Sequence, residues 1–118
     1  MTLIHVVLFR PRPGLPSAAR AALLSSLTAA ARDIPSIKRL RAGRRFRHGR
    51  PGYEQGMAED YEYALIVEFD DADGLARYLA HPAHAALARH FTESAGAALA
   101  YDYEVVEGDD LTSIGWDR

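Results

Sequence analysis

The sequence contains no cysteine, and this absence excludes several classes of function together. Without thiols the chain cannot form disulfides, use a cysteine nucleophile, or hold a zinc ribbon or a cysteine-ligated iron–sulfur cluster. It also lacks an apolar run long enough to span a bilayer. The residues after Met1 predict a strand instead of a signal peptide. The expectation is therefore a cytoplasmic protein.

An excess of charge of one sign is also missing. The 14 Lys and Arg residues oppose 16 Asp and Glu residues, so the net charge of −2 favours neither nucleic acid nor a membrane surface. No phosphate loop, nucleotide fingerprint or nucleophile elbow is present. The arginines from Arg39 to Arg50 predict a solvated surface, with an anion or nucleic-acid patch as the alternative. His81, His84 and His90 lack an acidic residue that would complete a metal site. We expect no metal, no cofactor, no nucleic acid and no membrane partner.

The apolar periodicity predicts one α+β domain at residues 1–106 and a C-terminal tail at 107–118. A chain of 118 residues is long enough for one modest core. Alternation indicates strands, and three-and-four spacing indicates helices. The first half is predicted to contain a strand over 2–9, a helix capped by Ser17 and ending near Asp33, a basic edge strand with a bulge over 37–46, and a loop over 48–60. The second half is predicted to contain a strand over 61–69, a short helix capped by Asp71 or Asp73, a helix from Pro82 to about Leu99, and a strand over 101–106.

This order is typical of the split βαβ arrangement, in which a four-stranded antiparallel sheet carries its helices on one face. The other face would then be uncovered. We expect it to carry His5, Val7 and Phe9 with either Tyr63, Leu65 and Val67 or Ala64 and Ile66. Such a face is too apolar to leave in water, so burial predicts a homodimer in which two sheets pair. Trp116 in the tail would gain by burial against the partner.

A tyrosine and two histidines fall within the segment Tyr78–His84, between two helical patterns. Pro82 cannot continue a preceding helix but suits the first turn of a new one. The sequence therefore predicts one helix ending near His81 and another beginning at Pro82. Neutral imidazole exchanges protons near pH 7, which makes this joint the first candidate for chemistry. The dipole of the second helix should lower the pKa of His84.

Five stretches resemble the stress-responsive dimeric α/β-barrel (Dabb) proteins. They are His5-Val6-Val7-Leu8-Phe9, Ile34-Pro35-Ser36-Ile37, residues 63–69, Tyr78-Leu79-Ala80-His81-Pro82-Ala83-His84 and Tyr101-Asp102-Tyr103. The resemblance covers roughly residues 2–106, and its most specific part is the His-Pro-x-His segment. It implies a ferredoxin-like βαββαβ protomer whose sheet pairs with a second copy to form a closed dimeric α+β barrel with an internal cavity.

Some proteins of this family are cofactor-independent polyketide cyclases, which close a poly-β-keto chain by aldol chemistry. In them a histidine at the position of His84 acts as the base, assisted by a tyrosine matching Tyr78 and a histidine matching His5. All three residues are present here. The cyclases also carry a histidine on the third strand, where this chain has Tyr63.

The first hypothesis is thus a small cofactor-independent enzyme that transfers a proton next to the carbonyl of an apolar molecule such as a polyketide. The reaction would be enolisation, aldol-type cyclisation, isomerisation or lyase chemistry. His84 would be the base, and Tyr78 and His5 would donate hydrogen bonds to the forming oxyanion. The predicted substrate contacts, between helices and sheet or in the barrel, are Val7, Phe9, Tyr63, Leu65, His81, Leu87 and Phe91.

Two other functions remain open at this point. One is a non-catalytic, stress-responsive homodimer that binds a small molecule, and the other is a haem-linked monooxygenase-type barrel. Each candidate side chain also has a purely structural alternative. His84 could brace the helix joint, Tyr78 and His5 could be satisfied core residues, and His81 could cap the turn.

Overall fold

The structure, a computed structural model, describes residues 1–115. Trp116, for which the sequence predicts burial against a partner, lies outside the described residues. The elements are β1 (Thr2–Pro11), α1 (Ser17–Asp33), β2 (Arg39–Arg44), β3 (Tyr63–Phe69), α2 (Ala72–Ala80), α3 (Pro82–Ser94) and β4 (Ala95–Val105). Short 3-10 helices occupy Glu54–Gly56 in the β2–β3 loop and Leu111–Ile114 in the tail.

The four strands form one antiparallel sheet in the order β2-β3-β1-β4. β1 lies in the middle, so that His5 stands opposite Val67 on β3 and opposite Asp102 on β4. Together with the three helices this is the ferredoxin-like α+β fold that the sequence predicts. In the part of the chain described, no helix is both long enough and apolar enough to cross a membrane.

The two faces of the sheet are the reverse of those predicted. His5, Val7 and Phe9 are buried beneath the helices, whereas Val6 and Leu8 are only half-buried, on the uncovered face. The alternation of β1 separates two sets of residues correctly, but both sets are apolar. The sequence pattern therefore cannot tell which set the helices cover.

The core lies between this covered face and the helices. Val67 and Phe69 of β3 are completely buried, and Tyr78 of α2 is nearly so. Helix α1 packs its apolar face against this core: Ala30 and the following cap residue Ile34 are buried in the core cluster, and Leu23 and Leu27 pack against it. Removing such buried side chains costs about 2–5 kcal/mol each when the site cannot collapse.

The boundary between α3 and β4 differs from the prediction. The helix was expected to reach Leu99, but it ends at Ser94 and β4 begins at Ala95. Arg12 ends the helix, because its backbone N–H donates to the Ser94 carbonyl at 2.8 Å and its Nε donates to the Glu93 carbonyl at 3.0 Å. Pairing with β1 then outweighs the helical preference of the alanines that follow.

Smaller differences concern element ends. Pro16, not Ser17, is the N-cap residue of α1. β2 pairs with β3 without a register shift, and the irregularity in the sheet instead lies between Arg10 and Pro11 of β1. The cap of α2 is as predicted, since the Asp71 carboxylate accepts from the Gly74 N–H at 2.9 Å.

Candidate functional site

An apolar cavity of about 680 Å³ lies between the sheet and the helices. All three predicted catalytic residues, His5, Tyr78 and His84, line it. Most of the predicted substrate contacts line it as well, namely Val7, Phe9, Tyr63, Leu65, Leu87 and Phe91. The volume is in the range of pockets that hold drug-sized ligands.

His81 is the exception among the predicted contacts, because it lies outside the cavity lining and caps the helix joint. It follows the last residue of α2 and precedes the first residue of α3. Its Nδ1 accepts a hydrogen bond from the Ala83 N–H at 3.0 Å. Its backbone N–H also donates to the Tyr78 carbonyl at 3.2 Å. One residue thus serves the end of one helix and the beginning of the next.

Tyr78 lies between the two cavity histidines. Its ring centroid is 5.6 Å from that of His5 and 4.6 Å from that of His84. Phe69 supports it at 5.2 Å from the core side. Because Tyr78 is only 1% exposed, its position is fixed by packing. The bend at Pro82 is what brings the last turn of α2 and the first turn of α3 together at this point.

Burial lowers the pKa of His84, and the neighbouring positive charge of His5 lowers it further. A hydrogen bond to the backbone of Leu79 acts in the opposite direction. The balance keeps the pKa below the ordinary histidine value, so that the imidazole is neutral at pH 7. A neutral imidazole carries its proton on one of its two ring nitrogens. The other nitrogen retains its lone pair.

Burial raises the pKa of Tyr78 to about 12, with a smaller contribution from the Asp102 carboxylate. The phenol therefore stays protonated throughout the physiological range and can donate a hydrogen bond. It is poorly suited to act as a base. At pH 7 the His84 imidazole can therefore accept a proton, whereas the Tyr78 phenol can donate a hydrogen bond.

Asp102 is a site residue that reasoning from the sequence missed. Its Oδ1 lies 2.6 Å from Nδ1 of His5. A carboxylate only accepts, so Nδ1 of His5 is the donor, and the ring orientation is fixed. Asp102 and His5 come from neighbouring strands and face the same side. The alternation of Tyr101-Asp102-Tyr103 was the available signal, but using it required the register of β4 against β1.

Metal binding has no support from side-chain positions. Within residues 1–115, no group of three or more His, Asp or Glu side chains is arranged to hold a metal ion. The proline joint separates His81 from His84, and His81 already accepts a backbone hydrogen bond. The groups that converge on the cavity are instead suited to proton transfer and hydrogen bonding.

The family described as Stress responsive A/B Barrel Domain has a model that matches residues 3–105 of this chain. No curated protein matches the chain significantly. A Dabb family protein with a ferredoxin-like fold from Mesorhizobium loti superposes with a TM-score of 0.68 at 20% identity, covering 90% of this chain and 98% of that one.

Two further solved structures share the fold. A dimeric ferredoxin-like protein of unknown function from Thermobifida fusca has a TM-score of 0.70 at 21% identity, covering 89% of this chain and 92% of that one. A hydroxynitrile lyase from Passiflora edulis has a TM-score of 0.74 at 15% identity, covering 90% and 94%. At these identities the likeness concerns the fold alone.

Proposed function

Because this chain belongs to the stress responsive A/B barrel domain (Dabb) family, we propose that it is a small cofactor-independent enzyme. It would transfer protons next to the carbonyl group of an apolar small molecule. The observation that carries this proposal is the convergence, on one apolar cavity, of a neutral imidazole, a protonated phenol and a carboxylate-paired imidazole. Polar groups with perturbed pKa values in an apolar cavity are typical of catalytic sites.

In the proposed reaction His84 is the base. Its lone-pair nitrogen takes a proton from the carbon next to the substrate carbonyl, and the C–H electron pair moves into the C–C bond to form an enolate. A well-placed base of suitable pKa accelerates such a step by about 10²–10⁴-fold.

Tyr78 and His5 would stabilise the oxygen on which negative charge develops. The Tyr78 phenol donates to it, and a protonated His5 would donate from Nε2 while its Nδ1 donates to Asp102. The enolate then attacks a second carbonyl in an aldol cyclisation, or it takes the proton back at another carbon in an isomerisation. In either case the protonated His84 returns the proton, and no oxidant or reductant is consumed.

Lyase chemistry uses the same groups in a related way. The base would remove the hydroxyl proton of a cyanohydrin, a carbonyl would form, and cyanide would leave. The hydroxynitrile lyase from Passiflora edulis has the same fold, which supports the view that this scaffold can host such a reaction. Cyanohydrin cleavage is therefore included in the proposal alongside aldol and isomerisation chemistry.

The test is deuterium exchange at the α-carbon of ethyl benzoylacetate, an apolar β-keto ester, followed by NMR in D₂O. The protein should accelerate exchange above the buffer rate, and His84→Gln should lose about 10²–10⁴-fold of that acceleration. His90→Gln is the matched control, because His90 lies on the same helix but not in the cavity lining. Equal rates for the wild type and His84→Gln would refute the assignment of the base.

A homodimer is also part of this proposal. The uncovered face of the sheet carries the half-buried Ile4, Val6 and Leu8 of β1, and Tyr101 and Tyr103 of β4 are 56% and 50% exposed. A contiguous apolar face of this kind is typical of an interface. The Thermobifida fusca structure with the same fold is described as dimeric, which supports a second copy as the occupant.

Light scattering tests the dimer directly. Val6→Lys places a charge at the centre of the uncovered face and should give a monomeric mass, because a charge buried without a partner is strongly unfavourable. Arg89→Lys, on the outer surface of α3, should keep the dimer mass. A wild-type protein with the mass of one chain would refute the homodimer.

A binding protein without catalysis is the second candidate. The predominantly apolar lining, with Val7, Leu65, Leu87 and Phe91 among its residues, favours ligand retention whether or not a reaction follows. Saturable binding of ethyl benzoylacetate without any acceleration of exchange would favour this second function.

A further inference from the structure

The cavity has two chemically different ends. His5, Tyr78 and His84 occupy one end, and Phe9 with Tyr63 lies toward the other. His5 and Phe9 are four residues apart on β1, which corresponds to roughly 13 Å along an extended strand. The cavity therefore suits an elongated molecule whose two ends meet different side chains.

Arg44 belongs to the second end. It stands opposite Tyr63 at the end of β2, and Ala42 of the same strand stands opposite Leu65. All four residues line the cavity. Because side chains alternate along a strand, Arg41 and Arg39 lie on the uncovered face instead. Of the arginines within β2, Arg44 is thus the one on the cavity side.

Arg20 comes to the same cavity from a different element. It lies in the first turns of α1. Pro11 at the end of β1 and Leu15 in the connection to α1 also line the cavity. One guanidinium is thus supplied by the edge strand and one by the helix. Arg44 comes from the arginine-rich stretch Arg39–Arg50 and Arg20 comes from α1, so only folding places both on the lining of one cavity.

The neighbouring arginines are already paired, whereas these two are not. Arg10 bonds Glu59 at 2.9 Å, and Asp60 binds both Arg45 at 2.6 Å and Arg47 at 2.7 Å. Within residues 1–115, Arg20 and Arg44 have no carboxylate within ion-pair distance.

Glu62 is the carboxylate that shares the cavity lining with these arginines. Among the described lining residues it is the single acidic one, against the two arginines. The two arginines and this carboxylate therefore give the lining a net positive charge, and most of its other residues are apolar.

We propose that the cavity selects elongated apolar acids, with a carboxylate bound beside Arg44 and Arg20 and the reactive carbonyl at His84. This inference rests on the proposed function, whose substrate class it narrows. Guanidinium groups bind carboxylates through paired charge-assisted hydrogen bonds and are weakly hydrated, so they suit the rim of an apolar cavity. Both arginines are exposed, so a neutral analogue of the same length would fill the apolar section but leave the two guanidinium groups to water.

Calorimetric titration of the full chain with decanoate and with decanol at low salt tests this. Decanoate should bind about tenfold more tightly than decanol, since each partly exposed ion pair contributes a few-fold. Arg44→Gln and Arg20→Gln should each reduce decanoate affinity a few-fold, and the double variant should bind both probes equally. Arg89→Gln, which removes the same charge from the outer surface of α3, should behave as the wild type.

The outcomes separate this inference from the proposed function, because binding is read without any reaction. Equal affinity of the wild type for decanoate and decanol would overturn it, as would a double variant that keeps the preference for decanoate. Binding of neither probe would overturn it too. His84→Gln should retain the decanoate preference, so a loss of catalysis alone leaves the anion site intact. Circular dichroism of each variant confirms that lost affinity does not reflect unfolding.

Discussion

His81 and His84 lie one helical turn apart in the same motif, yet the structure uses them in different ways. His81 accepts the Ala83 N–H and joins two helices, whereas His84 lines the cavity 4.6 Å from the Tyr78 ring. The residue type is the same, and the backbone position decides the role. A histidine immediately before the helix meets unpaired N–H groups, whereas one in its first turn projects into the space beside the helix. Spacing within a motif therefore does not by itself assign chemistry to a residue.

The strongest test of this contrast uses Tyr78, which contacts both histidines. Its backbone carbonyl accepts from His81, and its ring lies against His84. Tyr78→Phe keeps the backbone and the ring but removes the hydroxyl. Exchange of ethyl benzoylacetate should fall about 10²-fold, because one oxyanion donor is lost. The free energy of unfolding should change by less than about 1 kcal/mol. A full rate in this variant would show that the phenol does not take part.

The next test removes the cap. His81→Ala should lower the free energy of unfolding by about 1 kcal/mol, the usual cost of losing an N-cap acceptor, and His81→Asn should restore it. Urea unfolding followed by circular dichroism measures both. Since His81 has no chemical role in the proposed mechanism, the Asn variant should keep the wild-type exchange rate. A rate as low as that of His84→Gln would break the contrast between the two histidines.

The smallest expected effect is on pH dependence. Because burial and the charge of His5 lower the pKa of His84, the base should be neutral at pH 7, and the acid limb of the rate should lie below about pH 6.5. The same lowering favours the folded state above the unfolded pKa, and this contribution is lost as the pH falls through the folded pKa. A pH–rate profile of the His81→Asn variant should show the same acid limb. An acid limb above pH 7 would contradict the assignment of the base to His84.

Much of the fold could be read from the sequence, because local chemistry determines it. Pro82 separates α2 from α3 where predicted, and Asp71 caps α2 as expected. The end of α3 was predicted incorrectly because the alanines after Ser94 continue the helical spacing, and the hydrogen bonds from Arg12 and the pairing of β4 with β1 end the helix there. The end of α3 therefore depends on β1 and the residues that follow it, and not on the sequence of α3 alone.

The site illustrates the same limit. The residues at the helix joint carried a recognisable signal, and the structure places two of them, Tyr78 and His84, in the cavity lining with His5. Asp102 and Arg44 had weaker signals, the stretch Tyr101-Asp102-Tyr103 and the arginine-rich stretch Arg39–Arg50, because the position of each beside the cavity depends on strand register. The sheet faces were exchanged for a similar reason, because two equally apolar alternating sets do not reveal which one the helices cover.

The shared cap at His81 also has a consequence for how this chain can change in length. With no spacer between α2 and α3, the phase of the second helix relative to the first is set by one residue. A single inserted residue would rotate everything after it by about 100° around the helix axis. The imidazole of His84 would then turn away from the phenol, although no atom of either side chain had been altered. The long connection between β2 and β3 has no such restriction. An insertion should therefore be tolerated in that loop but not at the joint between α2 and α3.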